Sequence, residues 1–593
     1  MNGISKRVSK KKLFCIATAA VLVIAALVSW NVWMGYTHIA FLNYQTVELG
    51  QISKANDNGM IRLSEITADD FDHLDDYDMI LVSGMGLRLD EHRRGQLSEA
   101  SLRIPVLTRI ATNPANNIVS VDSVDADFIL QYLENGGRKN YRSMLAYIRK
   151  FIDGKLFRAP EPDVVNERPD CLLTHFDLKD ENADEIGFNS VGEYNAFLMQ
   201  NGLYKEDAPA VMLTGFMGAA TDMTKALEQK GFNVYRVNKL LPFIGGGHAD
   251  SIRLGAVVNL AHGRMGDAVV DFLKRKNIPL FSPLNVNRLT EEWESDKQGM
   301  SGGFMSQSII TPEIDGAVRP YVVFGHRINE EGLQEVYGMP DRMDDFLETV
   351  SGYASLQQKK NSDKRIAVYY FKGPGQNALV ASGMEVTPSL YNLLLRLRSE
   401  GYRVDGLPSS AQELETMIQQ RGSVFGAYAE GAYDEFLESG HPALVTTEQY
   451  GEWTRKALSG KMIEEMNELN GPFPGKYMAT ADGRLAVARL QFGNVVLLPQ
   501  VMAGEGDNSF KIIHGTNQAP PHTYIASYLW ARFGFGADAI IHFGTHGSLE
   551  YTPRKQVALG GNDWPDRLIG VVPHYYLYTI GNVGEGMIAK RRT

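Results

Sequence analysis

The segment Ala537-Asp538-Ala539-Ile540-Ile541-His542-Phe543-Gly544-Thr545-His546-Gly547-Ser548-Leu549-Glu550-Tyr551 constrains the fold more than any other part of this chain. Its first five residues are short and apolar enough for a buried strand. Gly544 and Gly547 soften the turn that leaves it, and Ser548, Leu549 and Glu550 suit the start of a helix. A strand that runs through such a turn into a helix is the repeating unit of an open α/β sheet. His542 then falls at the carboxyl end of the strand, where such sheets place ligands. On a helix His546 and Glu550, four residues apart, share a face. Imidazole and carboxylate together can bind a borderline metal ion or move protons near neutral pH. The plain alternative is a polar turn whose histidines hydrogen-bond backbone carbonyls.

The same alternation of short apolar runs and amphipathic stretches recurs along the chain, which predicts an α/β protein of several doubly wound units. Strands are expected at Ile39–Leu42, Met79–Gly84 and Ile104–Leu107, giving a first α/β domain over 37–157. Residues 158–205, rich in Pro, Asp, Glu and Asn, read as a connector with some helix. A second domain over 206–354 opens with Ala210–Leu213 and continues with Asn233–Val237, Ala256–Leu260 and Pro279–Phe281. A third, over 365–440, opens with Arg365–Tyr370. The last segment, 441–593, carries the histidine turn. A length of 593 residues suits about three to five domains.

The chain begins differently. Leu13 to Gly35 is an uncharged, mostly apolar run of 23 residues, and Lys6, Arg7, Lys10, Lys11 and Lys12 precede it. That is long enough to span a bilayer. Basic residues on its amino-terminal side put residues 1–36 down as a cytoplasmic tail and single-pass inner-membrane anchor, with the body on the periplasmic side. A cleaved signal peptide is the competing reading, against which stand the length of the run and the interfacial look of Trp30-Asn31-Val32-Trp33.

Other features narrow the chemistry. A net charge of −11 argues against a nucleic-acid partner. Two cysteines, Cys15 and Cys171, make neither a disulfide framework nor a Cys-rich zinc site. Lys372-Gly373-Pro374-Gly375 follows a strand but lacks the ending of a phosphate loop, so no ATP site is visible. Gly245-Gly246-Gly247-His248, and His262 in Ala261-His262-Gly263-Arg264, read as loop residues that can also line a cleft. Glu313 and Asp315 sit in a Pro-Glu-Ile-Asp-Gly turn that carboxylates commonly stabilise. By contrast His514, His522, His542, His546 and His574 gather five of the 13 histidines into 61 residues. Such clustering suits a metal-handling cavity, with Tyr575 and Tyr576 beside His574 placed to pack a flat ring or, alternatively, to fill a core.

The stretch His542–Gln556 resembles the signature of the large subunits of tetrapyrrole metal chelatases, the CobN type and the H subunit of magnesium chelatase. The likeness extends through Trp564–Gly570, Pro573–Tyr576 and Gly584–Arg592, and upstream through Pro520–Tyr524, Phe492–Val495 and Pro499-Gln500. Weaker matches lie at Thr311–Gly316 and Val386–Leu390. Arg554 departs from the pattern, which has glycine there. The resemblance implies a tetrapyrrole-binding chelatase or dechelatase. Its expected catalytic and metal-binding residues are His542, His546 and Glu550. Macrocycle-binding residues are expected at His522, His574, Tyr575, Gly544 and Gly547.

Inserting a divalent metal into a porphyrin-like ring removes two pyrrole protons, and extracting it returns two, so histidine and glutamate serve either direction. The family's insertases work with ATP-driven partner subunits in the cytoplasm, whereas the anchor predicts a body on the far side of the membrane. The layout therefore resembles the membrane-anchored CobN-like proteins of haem-uptake loci (the HmuS type). It implies ATP-independent removal of iron from haem, with haem-uptake proteins as partners. The alternatives are a cobalt or magnesium chelatase subunit working with ATPase partners, and a non-catalytic tetrapyrrole carrier.

Overall fold

The computed structural model describes residues 10–176, 178, 184–217, 219–370, 380–381, 384–425, 430–501, 519–544, 548–578 and 583–592. It divides into two compact units. One comprises residues up to Glu193 together with His326–Val336; the other comprises Tyr194–Gly325 and Tyr337–Thr593.

The first unit starts with helix α1 (Lys10–Met34). Its segment Ile16–Met34 has a mean hydropathy of 2.0 and none of it is buried, so it is long and apolar enough to cross a membrane. Strands β1 (Thr37–Leu42), β2 (Ile61–Glu65), β3 (Met79–Ser83) and β4 (Val106–Arg109) follow. They pair in parallel in the order β2-β1-β3-β4. The chain therefore winds outward from β1, returns across it and continues on the other side. Alternate residues of β1 serve two cores. Ile39 and Phe41 enter one apolar cluster, Ala40 and Leu42 the other. Burial of both faces is why these strands read as unbroken apolar runs.

The second unit holds two larger sheets. Strands β5 (Ala210–Thr214), β6 (Asn233–Arg236), β7 (Leu254–Asn259), β8 (Leu280–Phe281) and β9 (Ala317–Val318) form the first, in the order β9-β8-β7-β5-β6. It repeats the doubly wound plan, with helix α2 (Pro340–Gln358) following it in the chain.

The other sheet contains β10 (Ile366–Tyr370), β11 (Leu490–Phe492), β12 (Val495–Pro499), β13 (Ala539–Gly544) and β14 (His574–Tyr578), in the order β11-β12-β10-β13-β14. Only β11 runs antiparallel. Segments 365–440 and 441–593 thus share one sheet, with β10 at its centre. A strand opens a new unit in sequence, but parallel pairing lets it close with strands far along the chain.

The helix expected from Ser548 onward does not form. Leu549–Tyr551 is a single 3-10 turn. Pro553 follows, and Arg554 and Ala558 take positive φ of 91° and 52°, which ends helical geometry. Glu550 therefore sits on a single 3-10 turn, and its expected helical partner His546 lies outside the described residues. Arg554 occupies the left-handed backbone region that the glycine of the resembled pattern tolerates. Its guanidinium is held by Glu465 and the Asn562 carbonyl. Irregular backbone continues to α4 (Trp564–Ile569), reached after α3 (His522–Leu529); α5 (Val583–Arg592) comes last.

A buried ion pair ties α2 to α4. Arg342 donates two hydrogen bonds to Asp566, at 2.8 and 3.1 Å, and further ones to the carbonyls of Leu559 and Val322 at 3.1 Å each. Its guanidinium also lies 3.8 Å over the Tyr321 ring. Removing one member strands the other's charge, so Arg342→Met is expected to cost about 3–5 kcal/mol. Chemical denaturation of the full chain in detergent measures it; a loss below about 1 kcal/mol, the ceiling for an exposed pair, contradicts this account.

Candidate functional site

Pairing in the last sheet aligns Tyr369 of β10 with His542 of β13, and His542 with Tyr576 of β14. Residues paired across strands face the same way, so these three side chains share one face. Helix α3 packs over that face. Its Tyr528 stacks on Tyr369 with centroids 4.5 Å apart, and the His542 ring stands edge-on to both. Tyr524 and Tyr528 point to the same side because they are four residues apart on a helix.

A continuous hydrogen-bonded chain results. The Tyr528 hydroxyl lies 2.9 Å from His542 Nε2, and His542 Nδ1 lies 3.0 Å from His574 Nε2. On the other side Gln500 lies 3.3 Å from the Tyr528 hydroxyl and donates to Ser548 Oγ at 3.0 Å. Ser548 Oγ is 3.0 Å from the Tyr524 hydroxyl. One set of protons runs from the Gln500 amide to Tyr528, from Tyr528 to His542, and from His542 to His574. The reverse set, ending on the Gln500 carbonyl oxygen, satisfies the same distances. Tyr528, His542 and His574 each donate in one direction and accept in the other, so a proton can pass among these three, while the Gln500 amide only orients the Tyr528 hydroxyl.

Burial decides the charge state. His542 is 2% exposed, and desolvation pulls its pKa down from 6.5 to about 3. His574 is also held well below its ordinary value, by burial first and then by the nearby His542 and Arg319. Both imidazoles are therefore neutral at pH 7. Glu550 is fully buried and accepts a 2.6 Å hydrogen bond from the Tyr576 hydroxyl. That phenol is pushed far up, by burial and then by the Glu550 carboxylate.

The expected residues thus fall into distinct places. His542, His574 and Glu550 come together around Tyr576, whose ring is 5.5 Å from that of His542 and 6.2 Å from that of His574. Gly544 closes β13 beside them. His522 heads α3, where Nδ1 contacts the Tyr450 hydroxyl at 3.0 Å and Nε2 contacts the Gly471 carbonyl at 2.9 Å. Both of its nitrogens serve the fold. Tyr575 points to the opposite face of β14 from His574, is 41% exposed, and packs against Tyr353. His546, Gly547, His514 and the loop Lys372–Gly375 lie outside the described residues.

Among the described residues no three of His, Cys, Asp and Glu are grouped to hold a metal ion. Both nitrogens of His542 are engaged, so ligation through it requires breaking a hydrogen bond to Tyr528 or His574. Tyr369 and Tyr528 join the site without having been expected there. The i, i+4 spacing of Tyr524 and Tyr528 after Pro520-Pro521 was the available signal; nothing local marks Tyr369.

The sequence pattern of the CobN/Magnesium Chelatase family matches residues 130–593. The chain belongs to the CobN/magnesium chelatase family. It is 30% identical over 504 residues to the H subunit of the magnesium chelatase of Rhodobacter capsulatus, a match covering 78% of this chain and 40% of that protein. It is 29% identical over 333 residues to the CobN subunit of the aerobic cobaltochelatase of Pseudomonas aeruginosa, covering 54% of this chain and 26% of the relative. The catalytic subunit of cobaltochelatase from Mycobacterium tuberculosis shares the fold, with a TM-score of 0.67 at 20% identity over 94% of this chain and 47% of that one. The chain thus spans less than half the length of each of these family members.

The neutral imidazole pair makes stability depend on pH. An unfolded chain protonates His542 near 6.5, whereas the folded chain does so only near 3. Between those values unfolding takes up protons, so stability falls as pH drops from 6.5 toward 3 and is insensitive to this group above 6.5. Melting temperature measured from pH 8 to pH 4 is expected to fall in that window, and His542→Gln to reduce the slope by about one proton's worth. An unchanged slope in that variant contradicts the assignment.

Proposed function

We propose that this chain binds a tetrapyrrole at the carboxyl ends of β10, β13 and β14 and takes part in exchanging the metal at its centre. The supporting observation is the buried relay from His574 through His542 to Tyr528, whose hydroxyl Gln500 orients. Inserting a divalent metal into a porphyrin-like ring releases two protons, and removing it takes up two. Metal exchange therefore needs groups that pass protons through hydrogen bonds away from bulk water. In this reading His542 and Glu550 carry protons. The metal, as substrate, is received by side chains that include His546.

We further propose removal of iron from haem as the direction, without ATP. The support is α1, whose exposed apolar length suits an anchor holding the body across the inner membrane, on the periplasmic side, where ATP is not expected. Partners are then haem-uptake proteins. A second reading, insertion of magnesium or cobalt with ATPase subunits, is favoured by the names of the relatives, the H subunit of a magnesium chelatase and the CobN subunit of a cobaltochelatase.

Anaerobic incubation of the full chain in detergent with haem, without ATP, separates these. A shifted Soret band giving way to fluorescent metal-free porphyrin is the expected result. Tyr528→Phe is expected to slow that release by about 100-fold while haem still binds, the scale of one lost acid–base relay. A shifted band that never evolves leaves a carrier. No shift, with metal insertion into free porphyrin when ATPase subunits are supplied, favours the second reading.

A further inference from the structure

Next to the signature turn, four arginines converge on a small cavity of about 20 Å³, walled by Arg319, Tyr321, Arg342, Asp566, Arg591 and Arg592. That volume holds roughly one water-sized group. Its single carboxylate, Asp566, is already bidentate on Arg342. Arg591 is answered from outside the wall by Glu313, at 3.3 Å. Among the described residues the other two have only carbonyl partners. Arg319 donates to the Gly570 carbonyl at 2.7 Å, and Arg592 to those of Glu550 and Pro553.

Arg319 and Arg592 are 8% and 2% exposed, and each keeps a buried nitrogen without a partner, Nη1 of Arg319 and Nε of Arg592. A guanidinium carries five donors and stays charged, so burying two of them without a counterion is costly. Asp563 and Glu550 act on Arg592 only through space, and burial still draws its pKa down to about 10. Arg532 is drawn down to about 10 as well, by burial first, with Asp345 opposing the shift and Arg319 and Arg567 adding to it. Among the described residues no carboxylate lies within hydrogen-bond reach of Arg319 or Arg592.

We propose that this cavity is a carboxylate-binding subsite, with Arg319 and Arg592 as its donors. Guanidinium matches a carboxylate in planar, charge-assisted geometry. The cavity is too small for a bulky anion and fits the tip of a side-chain carboxylate. Its walls join the candidate site directly. Arg592 holds the Glu550 carbonyl, and Arg319 holds Gly570, four residues before His574. Resting on the proposed function, the carboxylate is one on the rim of the tetrapyrrole, and the subsite orients the ring over β13 and β14. A free small carboxylate is the other source of the same chemistry.

Two arms test this on the full chain in detergent. In the first, haem and haem dimethyl ester, whose carboxylates are masked, are titrated separately. Wild type is expected to prefer the free acid by about tenfold or more, the factor carried by one charge-assisted hydrogen bond. Arg319→Gln is expected to erase that preference and leave ester affinity unchanged, while Arg319→Lys retains part of it. In the second arm, melting temperature is followed against sodium formate at constant ionic strength. Formate stabilising wild type but not Arg319→Gln, with equal acid and ester affinities, assigns the subsite to a free carboxylate. If Arg319→Gln does not fold, Arg592→Gln replaces it, and both wild-type comparisons stand regardless. Absence of both the acid preference and the formate stabilisation in wild type overturns the proposal. Failure to bind either haem form overturns the functional reading instead, while the formate arm still judges the cavity.

Discussion

Strand β10 hydrogen-bonds on one side to β12 and on the other to β13, and both partners lie far downstream in the chain. Parallel pairing of this kind requires long loop closures, which cost entropy. It is stable only because both faces of the strand are buried. Ala367 and Tyr369 enter one core, Ile366, Val368 and Tyr370 the other. The position of every candidate residue depends on that register. A slip of one residue along β10 or β14 would carry Tyr369 or Tyr576 to the opposite face and dismantle the aromatic cage around His542.

Within that cage the same low dielectric has two consequences. It keeps His542 and His574 neutral, so each retains a donor and an acceptor and the chain through Tyr528 stays bidirectional. It also makes unanswered charge expensive, which is why Arg342 and Asp566 are paired so closely and why the arginines beside them stand out. Neutral relay and cationic wall are neighbours because β14 and α4 are separated by one short turn after Gly570.

Much of this was legible before the fold. Apolar runs at 39–42, 79–84, 210–213, 256–260 and 539–541 became strands because β-branched and aliphatic residues in short runs have few other stable uses. The helix expected after Ser548 failed because Thr552, which precedes Pro553, turns extended and ends the 3-10 turn; the left-handed backbone beyond it, at Arg554 and Ala558, reflects tertiary contacts, not local propensity. Arg554 shows this directly: its side chain is held by Glu465 and Asn562, which lets a non-glycine residue occupy glycine's conformation.

The residues themselves determined the α/β class, the apolar helix at the start and the family signature, because each is written in local composition and short spacing. Tertiary structure alone decided which histidines meet. His522 and His542 look equivalent in sequence, yet one is consumed by Tyr450 and Gly471 while the other joins His574 and Tyr528. It also decided that segments 365–440 and 441–593 share a sheet, and that Arg319 and Arg592 share a cavity wall. Those outcomes rest on contacts between distant parts of the chain, whose closure depends on the burial of whole faces rather than on any local pattern.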